Sequence, residues 1–205
     1  MRLILASQSP RRAELLALTG IPFIVAPSNC DEDSLSNHLK TEKPDIKEHA
    51  VAEHLALSKA YAALSKFPHD LILAADTIVT LDGVDYGKPV DKDDARRMLS
   101  ELSGRTHIVD TGVALVSREK EEVFSVSSKV RFRPLSSAVE SLIERYVETG
   151  LPLDKAGAYG IQELGGLLIE RVEGDYFAVM GLPIGEVYER LFLYDLDERP
   201  DAARD

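Results

Sequence analysis

Residues 71–79 constrain the fold more than any other stretch. Leu71, Ile72, Leu73, Ala74 and Ala75 run unbroken into Asp76, and Thr77, Ile78 and Val79 follow. An apolar run this short, flanked by β-branched residues and closed by Leu81, Asp82 and Gly83, predicts a buried strand rather than a helix. An ionised carboxylate is costly in such a place unless a cation, a metal or hydrogen-bond donors face it. Strand ends are also where α/β folds place their chemistry. Asp76 is therefore either a satisfied structural acid at a strand end or an active-site carboxylate.

A chain of 205 residues suits one large domain or two small lobes sharing a core. The lone cysteine, Cys30, excludes an intramolecular disulfide and a Cys-rich zinc site, and fits a reducing, cytoplasmic compartment. The opening residues lack the apolar core of a signal peptide. No apolar run approaches the roughly 20 residues that span a bilayer, so no membrane partner is expected. A net charge of −11 argues against a nucleic-acid backbone binder. It leaves room for an anionic small substrate faced by local positive charge.

Residues 2–6 read as a first strand running into Ser7, Gln8, Ser9, Pro10, Arg11 and Arg12. A helical stretch follows, stopped at Gly20, with Ser9 as N-cap and Pro10 at the first helical position. Free N–H groups at the helix start, two hydroxyls and two arginines there either suit phosphate oxygens or form an ordinary cap with two solvated arginines. Residues 22–26 predict a second strand. The acidic cluster Asp31, Glu32 and Asp33 reads as a solvated loop and Cys30 as a small unreactive thiol. Residues 35–47 read as a loop or irregular helix entry, and 48–65 as a long amphipathic helix. Lys59 on that helix points either at a site or, by default, at water.

After the central strand, Lys88 sits between Gly87 and Pro89 in rigid, non-helical backbone, placed as a point-charge phosphate ligand or as a solvated loop lysine. Residues 91–102 predict a helix capped by Asp91. His107 reads as a structural histidine. Residues 108–116 and 123–132 predict two long strands joined by a charged turn, and 137–148 another helix. Residues 150–162 hold three glycines and a proline with Asp154, Lys155 and Gln162. That composition predicts a shaped loop without its own helix or strand, in which Gln162 can read a base edge with a donor and an acceptor. A strand at 167–172 and a final helix with Val187, Leu191 and Phe192 inward complete the chain. The alternation predicts an α/β fold with a mixed sheet.

Residues 7–16 resemble the opening signature of the Maf (septum-formation inhibitor) family. Asp31 and Glu32, the triplet Ala75, Asp76 and Thr77, the triplet Gly87, Lys88 and Pro89, residues 103–107, residues 154–162, and Gly181, Leu182 and Pro183 match further motifs in the family's order. The resemblance covers residues 2 to about 193. It implies an elongated mixed β-sheet flanked by helices, in two lobes with a central cleft, similar to the inosine triphosphate pyrophosphatases. Residues 1–193 would form that single domain and 194–205 a charged tail.

The resemblance further implies a nucleoside triphosphate pyrophosphatase of the dTTP/UTP branch, cleaving between the α and β phosphates with a divalent metal, Mg²⁺ or Mn²⁺. By position Asp76 would be the proton acceptor, with Glu32 and Lys88 as the other catalytic residues. Arg11, Thr77 and Gln162 would set base preference. Ser9, Arg11 and Arg12 would hold phosphate oxygens, Lys59 would complete the substrate site, and Glu32 with Asp76 would bind the metal. A nucleotide-binding regulator of cell division without catalysis is the alternative, and an anion-binding structural domain a third. The expected partner is a nucleoside triphosphate, and a homodimer is the assembly to test.

Overall fold

The computed structural model describes residues 1–28 and 32–196, and side chains at all of these except 32 and 33. Cys30 and Asp31, and the end of the tail from residue 197, lie outside the described residues. Seven strands form one mixed sheet in the order β2-β1-β3-β5-β6-β7, with β4 paired to β3. They are β1 (Leu3–Leu5), β2 (Phe23–Val25), β3 (Leu71–Leu81), β4 (Val84–Asp85), β5 (Thr106–Val116), β6 (Glu121–Phe132) and β7 (Ile169–Glu173). The helices are α1 (Pro10–Ala17), α2 (Glu32–Glu42), α3 (Glu48–Leu64), α4 (Lys92–Leu102), α5 (Ser137–Glu148), α6 (Tyr176–Met180) and α7 (Ile184–Leu191). Among the described residues no helix is long and apolar enough to cross a membrane.

The chain divides into two compact units. The first comprises Met1–Asp76, Thr111–Val126 and the described residues from Gly181; the second comprises Thr77–Asp110 and Ser127–Met180. In the first, β1 pairs in parallel with both β2 and β3, with Leu5 opposite Val25 and Leu73. Parallel strands need crossover connections, and α1 and then α2 with α3 supply them. Its core sets Ile4, Ala6, Ile72, Ala74, Ala114 and Val116 against Ala56, Ala60 and Ala63 of α3. Small side chains on both sides bring the helix close to the strands. The approach is closest at Gly112, where a Cβ would overlap the backbone of Ala52 and Glu53.

The second unit centres on Tyr146, Phe132, Leu99, Leu102, Val130 and Val79, packed from α4, α5 and strands. β3 continues through Thr77 to Leu81 and turns back into β4, with Thr80 opposite Asp85. The two turn residues, Asp82 at φ 51° and Gly83 at φ 78°, have the paired positive φ of a type I′ hairpin. Asp91 caps α4, its carboxylate accepting from Asp94 N–H at 2.8 Å. His107 is fully buried, its Nε2 2.8 Å from the Tyr159 hydroxyl, with Phe132 and Tyr159 edge-on to its ring.

Four expectations need correction. Residues 32–42 form one continuous helix, α2, in place of a solvated acidic loop followed by a loop or irregular helix entry, although only Leu39 of its described side chains is buried. Phe192 faces outward at 70% exposure, edge-on to Tyr188. The glycine-rich stretch is not bare loop: short 3-10 turns occupy Leu151–Asp154 and Ala156–Ala158, with a third at Leu164–Leu168. Asp76 lies in the middle of β3, not at its end.

Candidate active site

In the first unit the chain leaves β1 for β2 on one side and returns to β3 on the other. The carboxyl end of β1 is therefore a topological switch point, the place where open α/β sheets bind ligands. Ser7 lies there, buried, just past the strand. Its hydroxyl accepts from Ser9 N–H at 3.1 Å and, at the outer limit of 3.5 Å, from Arg12 Nη1. Ser9 takes the extended N-cap conformation with Pro10 behind it, yet its side chain makes no capping bond. The shaped turn thus rests on Ser7, one of the two hydroxyls at this helix start. Arg12 also donates from Nε to Gly181 O at 2.8 Å, so part of this guanidinium holds the turn to the start of the Gly181, Leu182 and Pro183 segment. Arg11 is half-buried on the same first helical turn.

Asp76 belongs to the same unit. Alternation along β3 places Ile72, Ala74 and Asp76 on one face, and Ile72 and Ala74 pack against α3. Asp76 therefore also faces α3, where Lys59 Nζ donates to its Oδ1 at 2.5 Å. Both are buried, Lys59 at 5% and Asp76 at 7% exposure. The solvent default for Lys59 is overturned: it sits beside Ala56, Ala60 and Ala63 on the buried face of α3. The ammonium is the cation that the buried carboxylate required, and a charge pair at this depth holds only with good geometry. Leu73 is the last β3 residue registered with β1, so Asp76 stands three positions beyond that paired stretch. β1 has ended there, which gives a mid-strand residue the surroundings of a strand end.

In the second unit Thr77 is half-buried, while Lys88 and Gln162 are exposed. Lys88 and Gln162 stand on one scaffold. The Gly157 N–H reaches two carbonyls, Tyr86 O at 2.8 Å and Gly87 O at 3.2 Å, and so ties the glycine-rich stretch to the segment carrying Lys88. Gly157 has φ 70°, and a Cβ there would come within 3.0 Å of Val79 Cγ1, so both conformation and space favour glycine. Gln162 lies in the turn closed by Glu163 N–H to Gly160 O at 3.3 Å. His107 anchors the same stretch through Tyr159, and burial alone lowers the His107 pKa to about 4, so the ring is a neutral post.

Glu32 opens α2, and its side chain lies outside the described residues. Among the described residues no group of three or more His, Cys, Asp or Glu gathers as a metal cage. Asp76 is the one described carboxylate of the pair expected to hold magnesium. That ion takes one or two carboxylates and completes its shell with water and substrate phosphate oxygens.

A mixed α/β sheet, a strand–turn–helix whose start attracts anions, and a buried carboxylate–ammonium pair at a switch point define a phosphate-handling α/β protein. The chain belongs to the Maf family: the family model described as Maf-like protein matches residues 2–192. It is 47% identical over 192 residues to a protein of Thermosipho africanus named dTTP/UTP pyrophosphatase, covering 94% of this chain and 93% of that one. A Moorella thermoacetica protein of the same name is 48% identical over 198 residues, 96% of each chain. One from Pyrococcus furiosus, again so named, is 47% identical over 183 residues, 89% of this chain and 90% of its own.

Proposed function

We propose that this protein hydrolyses dTTP and UTP to the nucleoside monophosphate and pyrophosphate, removing unwanted nucleotides from the pool. The observation that carries the reading is the buried Lys59–Asp76 pair in the same unit as the Ser7–Arg12 turn. A fixed carboxylate and a helix start suited to anions, held in one compact unit, are what hydrolysis of a phosphoanhydride needs. The names of its relatives support the substrate.

Water adds to the α-phosphorus, its proton passes to the Asp76 carboxylate, and the bond to the α–β bridging oxygen breaks to release pyrophosphate. Lys59 holds that carboxylate in place. Ser9, Arg11 and Arg12, with the N–H groups opening α1, bind phosphate oxygens. Lys88 neutralises phosphate charge; Pro89 restricts its backbone, and the Gly157 N–H bond to Gly87 O ties the segment down. Thr77 and Gln162 read the pyrimidine, with CTP and modified pyrimidine nucleotides as further substrates to rank. Asp76, with Glu32, would hold Mg²⁺ or Mn²⁺, which when bound supplies positive charge against the phosphates.

The test is pyrophosphate release from dTTP, UTP, CTP, ATP and GTP, with either metal or with a chelator. Release from dTTP and UTP above the purines, lost on chelation, is expected. Tight nucleotide binding with no pyrophosphate from any of them would sink the enzyme and favour the non-catalytic regulator. Gln162→Ala should alter the dTTP to GTP ratio while leaving hydrolysis measurable.

A further inference from the structure

Lys155 is buried at 4% exposure in a stretch otherwise built from short turns. Its three ammonium N–H groups have three acceptors in reach: Leu151 O at 2.5 Å, Asp154 Oδ1 at 2.6 Å and Glu163 Oε2 at 3.2 Å. The same Glu163 oxygen accepts from the Tyr146 hydroxyl at 3.3 Å. The hydroxyl in turn accepts from Gly160 N–H at 3.0 Å. Burial raises the Tyr146 hydroxyl well above its ordinary pKa, so it stays protonated and can donate while it accepts.

Gly160 and Glu163 are the two ends of the turn that carries Ile161 and Gln162. One end is held by Tyr146, the other by Tyr146 and Lys155 together. The packing leaves no slack. A Cβ at Gly160 would come within 2.9 Å of Lys155 Cε, and one at Gly165 within 2.9 Å of Tyr146 Cε1. The exposed tip is therefore mounted on a buried, cross-linked base. Such a base fixes where an otherwise mobile glutamine presents its amide.

We infer that Lys155, Glu163 and Tyr146 are positioning residues for base selection, acting through the backbone of Gln162 rather than by touching the nucleotide. The inference rests on the reading that Gln162 meets the base. Their loss raises KM and flattens base preference, and leaves kcat near wild type, because the reacting phosphates are bound by other residues.

The test compares Lys155→Met, Tyr146→Phe and Gln162→Ala in the full chain, with dTTP and GTP as substrates. The expected result is a dTTP to GTP ratio of kcat/KM reduced at least about 10-fold in all three, a modest share of what a 1 Å misplacement can cost. The change should come through KM, with the thermal midpoint of Tyr146→Phe showing a folded protein. Tyr146→Phe keeps the ring and removes only the hydroxyl, so it decides the question if Lys155→Met does not fold. An unchanged ratio in Tyr146→Phe beside a changed one in Gln162→Ala overturns the positioning role alone. An unchanged ratio in Gln162→Ala overturns the base-reading role of that residue and the inference with it. A fall in kcat at constant KM in Tyr146→Phe also overturns it.

Discussion

Among the described residues each unit buries one lysine. Lys59 projects from a regular helix to a carboxylate on a regular strand. Lys155 projects from an irregular stretch back to a carbonyl and two carboxylates of that same stretch. The first pair joins residues 17 apart across the helix–sheet layer; the second closes a local knot. Regular elements already have their backbone groups satisfied, so a buried charge there can be spared for chemistry. Irregular backbone leaves carbonyls that need partners, and a lysine buried among them is consumed by architecture. Burial of a lysine is thus no signature of catalysis until its partners are known.

The comparison can be broken most sharply at Asp76. Asp76→Asn should keep the fold and lose hydrolysis by about 10² to 10⁴-fold, the range for a removed general base, read as pyrophosphate release. Wild-type turnover would reduce the Lys59–Asp76 pair to the same structural standing as Lys155. Next, Lys59→Met removes the ammonium that faces a buried carboxylate and should destabilise the protein by about 3–5 kcal/mol in urea unfolding. Adding Asp76→Asn to it should restore part of that loss, since the buried negative charge is then gone.

A third prediction concerns pH and belongs to the second unit. His107 ordinarily titrates at 6.5 but at about 4 when folded. The unfolded chain therefore binds the proton more readily. The contribution of His107 to stability is full above pH 6.5, falls as the pH drops towards 4 and levels off below it, by up to about 3 kcal/mol in all. Urea midpoints at pH 7 and pH 4.5 should differ less in His107→Gln than in wild type. An equal slope in both would place the acid sensitivity elsewhere. The smallest effect is expected at Asp91→Ala, a lost helix cap of about 1 kcal/mol, with no change in base preference.

Where the sequence was informative, the reason is the pattern of burial. The residues 71–75 read as a buried strand because both faces of β3 are covered there. Ala95, Met98 and Leu102 marked α4, and Val139, Ile143 and Val147 marked α5, because each helix buries one stripe. α2 escaped because its stabilising face is small: Leu35 is exposed and Leu39 alone is buried among its described side chains. Phe192 misled because apolar spacing does not say which side of a helix end is covered.

The candidate site was legible in kind and not in wiring. Asp76, the Ser9–Arg12 turn and the glycine-rich stretch carry unusual residue types at unusual places, and sequence exposes that directly. Pairing across 17 or more residues does not show in any local pattern. Lys59 reads either way from sequence, toward a site or toward water, and its place beside the buried Ala56, Ala60 and Ala63 decides against water. Nothing local distinguishes Ser7, whose importance comes from two donors folded back onto it.

The alanines of α3 have a consequence for how this protein tolerates change. They set the gap between helix and sheet, and Gly112 sets it on the facing strand. The reach of Lys59 is matched to that gap. A saturation scan of positions 52, 56, 60 and 63 should therefore sort variants by side-chain volume more than by polarity. Serine would pass and valine would fail, and sequence drift at these four positions would be confined to small residues.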